Sequence, residues 1–265
     1  MAAKAVLDQF LNLPIDSSQG VFEVFAQLAG AIWKKGDKPL EQFIYIPGTR
    51  EDRVVLSAHA DTVWDAFYGN PQDAVLCYED GVYSSGSDVC GIGTDDRAGC
   101  ALVWALRNSG HSLLILDGEE KGKIGAKYLK EKHPRIFREI NRHRFILELD
   151  WAGSCACLFN QVDNTKAFKD YIQKEAGFFD SRKKGGSDLQ ILCRDVCGAN
   201  LSVGWQACHS PKERLVLVDW EKNFEVLSDF LVRPQPKFAI PVHLRIYRGI
   251  RAMIGKVLRK LGLRK

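Results

Sequence analysis

The chain has 265 residues, 46% hydrophobic and 26% charged, enough to fill one large α/β core and remain soluble. No run of about 18 apolar residues occurs, which argues against a spanning helix. The net charge of +4 hides an asymmetry: ten Lys or Arg and no acidic residue fall between Leu231 and Lys265, leaving 27 basic and 33 acidic residues elsewhere. That mildly acidic body has no basic stripe or aromatic motif for nucleic acid, so no nucleic-acid partner is expected.

In chain order, residues 20–34 carry Val21, Val24, Phe25, Leu28 and Ile32 at helical spacing. Residues 43–47 and 54–59 read as strands, the second apolar enough to be buried. Residues 74–85 read as a hairpin turning at Glu79–Asp80–Gly81. A helix over 97–110, a strand over 112–120 and a helix from Lys123 follow. Residues 144–151 and 155–160 are strands and 165–176 a helix. Residues 188–193 fit either state, and 219–231 form a helix. Strands alternating with helices predict an α/β sandwich on a largely parallel sheet.

Pro234, Pro236 and Pro241 then interrupt the pattern. From Leu244, an apolar stripe (Ile246, Tyr247, Ile250, Met253, Ile254, Val257, Leu258, Leu261) alternates with Arg and Lys, the pattern of a basic amphipathic helix. Such a helix suits an anionic membrane surface, or packs on its own domain or on a second subunit. The division expected is a body over 1–232 and a Pro-rich linker with this helix over 233–265. The first twenty residues lack the basic start, apolar stretch and cleavage site of a secretory signal. The eight cysteines are therefore expected as reduced, small buried side chains, and the protein as cytoplasmic or peripheral at the inner membrane face.

Five segments place acids or histidines just past apolar strands or beside turns, where strand-end loops build sites. They are HAD (59–61), GTDDRAG (93–99), GEE (118–120), ELD (148–150) and CHSP (208–211). Two zinc ions about 3.5–4 Å apart need roughly three N or O ligands each, an open position for water, and an anion between them. His59, Asp95, Glu120, Asp150 and His209 supply two imidazoles and three carboxylates, which suffice if Asp95 bridges. Asp61 could fix the His59 tautomer. Glu119, beside Glu120, could face the water as a base.

This order of motifs resembles the co-catalytic dizinc exopeptidases and their amidohydrolase relatives, a group that includes bacterial dizinc aminopeptidases, peptidase T, tetrahedral aminopeptidases and aminoacylase-like enzymes. The resemblance runs from about Val54 to Leu215. It implies a three-layer α/β/α sandwich with a mixed, mostly parallel sheet. It also implies one zinc on His59, Asp95 and Asp150, and a second on Asp95, Glu120 and His209. Glu119 would be the general base, Asp61 the partner of His59, and the Asp95–Asp96 peptide bond cis. A segment GGSDL (185–189) resembles one near the site in relatives and suggests Ser187 or Asp188 for substrate contact.

Only 58 residues separate Asp150 from His209, too few for the dimerisation or lid domain that many relatives insert. The implied activity is cleavage of a peptide bond, as an aminopeptidase on short peptides, with two Zn2+ per chain (Co2+ and Mn2+ also suit N/O ligands). The alternatives are a deacylase acting on an N-acylated small molecule, and a non-catalytic module that docks through its basic tail.

Overall fold

The computed structural model describes residues 3–69, 74–247 and 250. The chain opens with helices α1 (Ala3–Leu11) and α2 (Gln19–Ala26), then strands β1 (Ile32–Lys35), β2 (Gln42–Ile46) and β3 (Val55–His59). A hairpin of β4 (Leu76–Glu79) and β5 (Val82–Ser85) leads to α3 (Thr94–Ala105) and β6 (Ser112–Leu116). Next come α4 (Ile124–Lys132), α5 (Pro134–Ile140), β7 (Ile146–Trp151), β8 (Ala156–Leu158), α6 (Lys166–Glu175) and β9 (Phe179–Asp180). The last part adds α7 (Leu189–Leu192), β10 (Gly198–Ser202), β11 (Trp205–Gln206), β12 (Arg214–Val216) and α8 (Leu217–Leu231).

The main sheet runs β1-β2-β6-β3-β7-β10-β8-β9. Its centre, β6, β3, β7 and β10, is parallel. β2 and β8 join it antiparallel, and β1 pairs antiparallel with β2, which makes the sheet mixed. Every residue of β3, β6 and β10 is buried, as expected for strands covered on both faces. Removing one such side chain typically costs about 2–5 kcal/mol. Helices α1, α3 and α8 pack together on one face, while α4, α5 and α7 form a group on the other. This is the three-layer α/β/α sandwich expected, without an inserted lid domain between Asp150 and His209.

Helix α3 is buried from Thr94 to Trp104 because it lies between the sheet and its companion helices. Gly99 permits this approach: a Cβ there would come within 1.8 Å of the Leu149 carbonyl oxygen.

Several local expectations are corrected. The helix expected over 20–34 ends at Ala26, and Ile32 and Trp33 instead belong to β1, paired with Tyr45 and Ile44. Trp33 stacks on Phe22 with ring centroids 5.6 Å apart, so strand pairing and a tertiary contact override the helical spacing. Residues 188–193, open between helix and strand, contain the single turn α7. A second, antiparallel sheet, β11-β12-β5-β4, ties the chain after His209 to the hairpin and has no counterpart in the sequence reading.

After α8 the Pro-containing segment packs on the body. Cys197 N–H donates to the Phe238 carbonyl at 3.0 Å, and the Phe238 ring lies against Phe145, Phe168 and Tyr171. The basic amphipathic helix lies outside the described residues, apart from 244–247 and 250. Among the described residues no helix is long and apolar enough to cross a membrane.

Candidate metal centre

The parallel strands deliver their carboxyl ends to one rim, where open α/β sheets place their sites. His59 ends β3, Asp150 lies near the end of β7, and Glu119 and Glu120 follow β6. Asp95 opens α3, and its peptide bond to Asp96 is cis. His209 sits between β11 and β12. The five expected ligands, far apart in sequence, converge here.

Asp95 stands between the two imidazoles. Its Oδ1 lies 3.1 Å from His59 Nε2 and its Oδ2 lies 3.2 Å from His209 Nε2. Asp150 Oδ1 approaches His59 Nε2 at 3.7 Å, and Glu120 Oε1 approaches His209 Nε2 at 2.6 Å. Two donor groups therefore form around a shared carboxylate: His59, Asp95 and Asp150 on one side, Asp95, Glu120 and His209 on the other. Glu120 Oε1 is buried and makes no hydrogen bond despite the nearness of His209, so the two atoms face a common point. Carboxylate and imidazole donors with an orphaned buried oxygen fit divalent cations of the zinc type.

The electrostatics show what such cations would balance. Burial works against a charged His59, but Asp150, Asp61 and Asp95 overcome it and raise its pKa well above the ordinary value. Asp95 and Glu120 raise His209 to about 10. Burial, then the Asp95 charge, drives the Asp150 carboxyl up, and burial raises Glu120. Burial also opposes the charged form of Asp95, yet His209 and His59 hold its carboxyl below the usual range. The acids here demand positive charge, which protons on imidazole or metal ions can supply.

Asp61 lies where expected, against His59. His59 Nδ1 is 3.1 Å from the Asp61 carbonyl and 3.3 Å from its Oδ1, which leaves Nε2 directed at Asp95. The Asp61 carboxylate also accepts the Glu119 N–H at 3.1 Å and the Glu120 N–H at 3.2 Å, and bonds Tyr68. Asp96 is committed elsewhere, accepting the backbone N–H groups of His59 and Gly99.

Three supports escaped the sequence reading. Asn200 Nδ2 donates to Asp150 Oδ2 at 3.2 Å, leaving Oδ1 toward His59. Glu213 accepts the N–H groups of Ile92, Gly93 and Asp95 and the Thr94 hydroxyl at 2.6–3.2 Å, which pins the loop that carries Asp95. A Cβ on Gly91 would lie 2.0 Å from Glu213 Oε2, so the loop needs glycine there. Lys123 Nζ pairs with Glu119 Oε1 at 2.9 Å. The one sequence hint for Glu213 is its place four residues after His209. Lys123 stands four after Glu119, the spacing of a helical ion pair.

A cavity of about 200 Å3 opens on His59, Asp95, Glu120, Asp150 and His209, walled by Trp151, Trp205, Cys208 and the Lys184–Gly186 loop. Glu119 lines it; Ser187 and Asp188 do not. Both are wholly buried, Ser187 bonding Gln161 and the Asp188 backbone bonding Glu148, so the loop offers Lys184, Gly185 and Gly186 in their place. His111 and His143 are core residues that bond backbone and side-chain groups away from the centre.

A comparison with curated protein sequences finds no match. Solved structures share the fold. Aminopeptidase PepT from Bacillus cereus ATCC 10987 aligns with a TM-score of 0.66 at 13% identity, covering 88% of this chain and 98% of that one. A tripeptidase from Staphylococcus aureus subsp. aureus Mu50 aligns at 0.67 and 15% identity, covering 88% and 98%. An aminopeptidase from the archaeon Desulfurococcus kamchatkensis aligns at 0.60 and 11% identity, covering 89% and 97%. The sequence profile of peptidase family M28 matches residues 44–187, the stretch that carries His59, Asp61, Asp95, Glu119, Glu120 and Asp150, and the chain thus belongs to this family of metal-dependent, typically zinc-dependent peptidases.

Proposed function

We propose that the protein is an aminopeptidase acting on short peptides, with a pair of zinc ions held by His59, Asp95 and Asp150 on one side and by Asp95, Glu120 and His209 on the other. The observation that carries this reading is the position of Asp95, which presents one oxygen to each imidazole. Bound there, the metal pair would supply Lewis-acid polarisation of the scissile carbonyl and a more acidic water.

The chain's residues do the rest. Glu119, on the cavity wall beside Glu120, takes a proton from the attacking water and returns it to the leaving nitrogen. Asp61 holds the His59 ring and, through two backbone N–H groups, the loop that carries the base. Trp151 and Trp205 screen one side of the cavity from water and offer an apolar wall to a substrate side chain. The tripeptidase and aminopeptidase folds it resembles support short peptides with free amino termini. We take residues 1–232, with the segment to Ile240 that packs on them, as the catalytic unit and the basic segment beyond as a contact for an anionic surface or a second copy.

Metal content by elemental mass spectrometry and a panel of peptides with free or blocked amino termini test this reading. About two zinc ions per chain and release of residues from free termini alone are expected. Negligible metal that added zinc does not restore would defeat the metal centre. Cleavage confined to blocked substrates would mark a deacylase instead.

A further inference from the structure

Cys208 stands apart from the other cysteines. It immediately precedes His209, is half-buried, and lines the same cavity as the ligands. Its Sγ, a carboxylate oxygen of Asp95 and a ring nitrogen of His209 all lie within 4.8 Å of one another, a spacing that one metal ion can span. Glu120 faces His209 from the other side. Its side chain is nine-tenths buried, and its Oε1 sits 2.6 Å from His209 Nε2 without hydrogen-bonding it.

We propose that Cys208 supplies a sulfur donor to the metal on the His209 side, completing a set of Asp95, Glu120, His209 and Cys208. The inference rests on the metal-centre reading above and makes the two halves chemically unequal. The His59 side offers only nitrogen and oxygen, which harder ions accept, whereas a thiolate favours softer ions such as zinc or cadmium. Four protein donors would suit the tetrahedral preference of zinc. On metal binding the Cys208 S–H proton is released to solvent and the sulfur coordinates as thiolate. No oxidant or reductant is needed.

The test uses the full chain, stripped of metal and reloaded with Co2+, and reads its absorption spectrum. Visible ligand-field bands report that cobalt is bound, and a near-ultraviolet thiolate-to-cobalt band reports sulfur in the coordination sphere. Both are expected in the wild type, and Cys208→Ser should keep the visible bands and lose the ultraviolet one. Alkylation mapped by mass spectrometry gives a check without a variant: zinc loading should protect Cys208 and leave the exposed Cys77 unchanged. Cobalt bound without the ultraviolet band, a band that survives in Cys208→Ser, or Cys208 alkylated equally with and without zinc would each overturn the proposal while the metal centre stands. No bound cobalt at all would overturn the metal centre and the sulfur ligand together.

Discussion

Lys123 Nζ lies 2.9 Å from Glu119 Oε1, and both side chains are largely withdrawn from solvent. Beyond this pair sit two more acids with buried, unpartnered oxygens, Glu148 and Asp188, and burial pushes the Glu148 carboxyl up to about 7. The ammonium therefore both fixes the rotamer of Glu119 and offsets a local excess of negative charge. With Glu119 as the proposed base, Lys123→Met should lower kcat by about 10- to 100-fold with little change in KM, since a misplaced base costs rate more than binding. Lys123→Arg should recover part of the loss. Steady-state kinetics on one peptide decides it, and an unchanged kcat in Lys123→Met would remove the lysine from the account.

Asp61 joins the His59 ring to the Glu119–Glu120 backbone. Asp61→Asn keeps the shape and loses the charge, and one of its two terminal atoms can no longer accept. Metal affinity should fall roughly 10- to 100-fold, in line with other residues that orient ligands. Competition with a coloured chelator measures this, and equal affinities would count against the role.

The position of Asp95 between the two imidazoles makes a prediction in whole ions. Asp95→Ala should abolish binding of both metals, because each donor group loses its shared carboxylate. Asp150→Ala should weaken only the His59 side. Elemental analysis of the two variants separates them, and equal losses would contradict a bridge.

Glu213 is buried and takes three backbone N–H groups and a hydroxyl from residues 92–95. Glu213→Ala strands these donors, and each unsatisfied buried group costs about 1–3 kcal/mol. Urea denaturation of the metal-free protein should show a loss at the upper end of that range or beyond.

His143 sets a pH dependence away from the metal site. Its Nδ1 faces the Glu139 carbonyl at 3.0 Å and its Nε2 faces Ser112 Oγ at 2.8 Å, an arrangement that suits the neutral ring. Burial lowers its pKa from 6.5 to about 4. Between those values the unfolded chain binds a proton that the folded chain does not, so stability falls as pH drops from about 6.5 to about 4. The full effect is about 3 kcal/mol. Glu148 and Asp117, both raised to about 7 chiefly by burial, titrate in the opposite sense, so the comparison is with His143→Gln. That variant should lose less stability over the same window, measured by urea midpoints at each pH.

The residues that converge at the site were legible because metal chemistry restricts the choice of side chain. Few residue types bind zinc, and His59, Asp95, Glu120, Asp150 and His209 each follow a strand or turn signal that can be read locally. The alternation of buried strands and helices was legible for the same local reason, since a fully covered parallel strand must be apolar along its length. The expected helix over 20–34 failed because Ile32 and Trp33 are governed by partners at Tyr45 and Phe22, which no local window contains.

What the sequence by itself determined was the chemistry of the donors and the layered class of the fold, since both follow from residue type and short-range periodicity. Only the tertiary structure decided how those donors are held. Asn200 on Asp150, Glu213 on residues 92–95, and Asp61 on the Glu119 loop are contacts across 50 to 121 positions of sequence. They depend on strand register and on which ends of the sheet meet, and long-range geometry of that kind leaves no periodic trace in a chain.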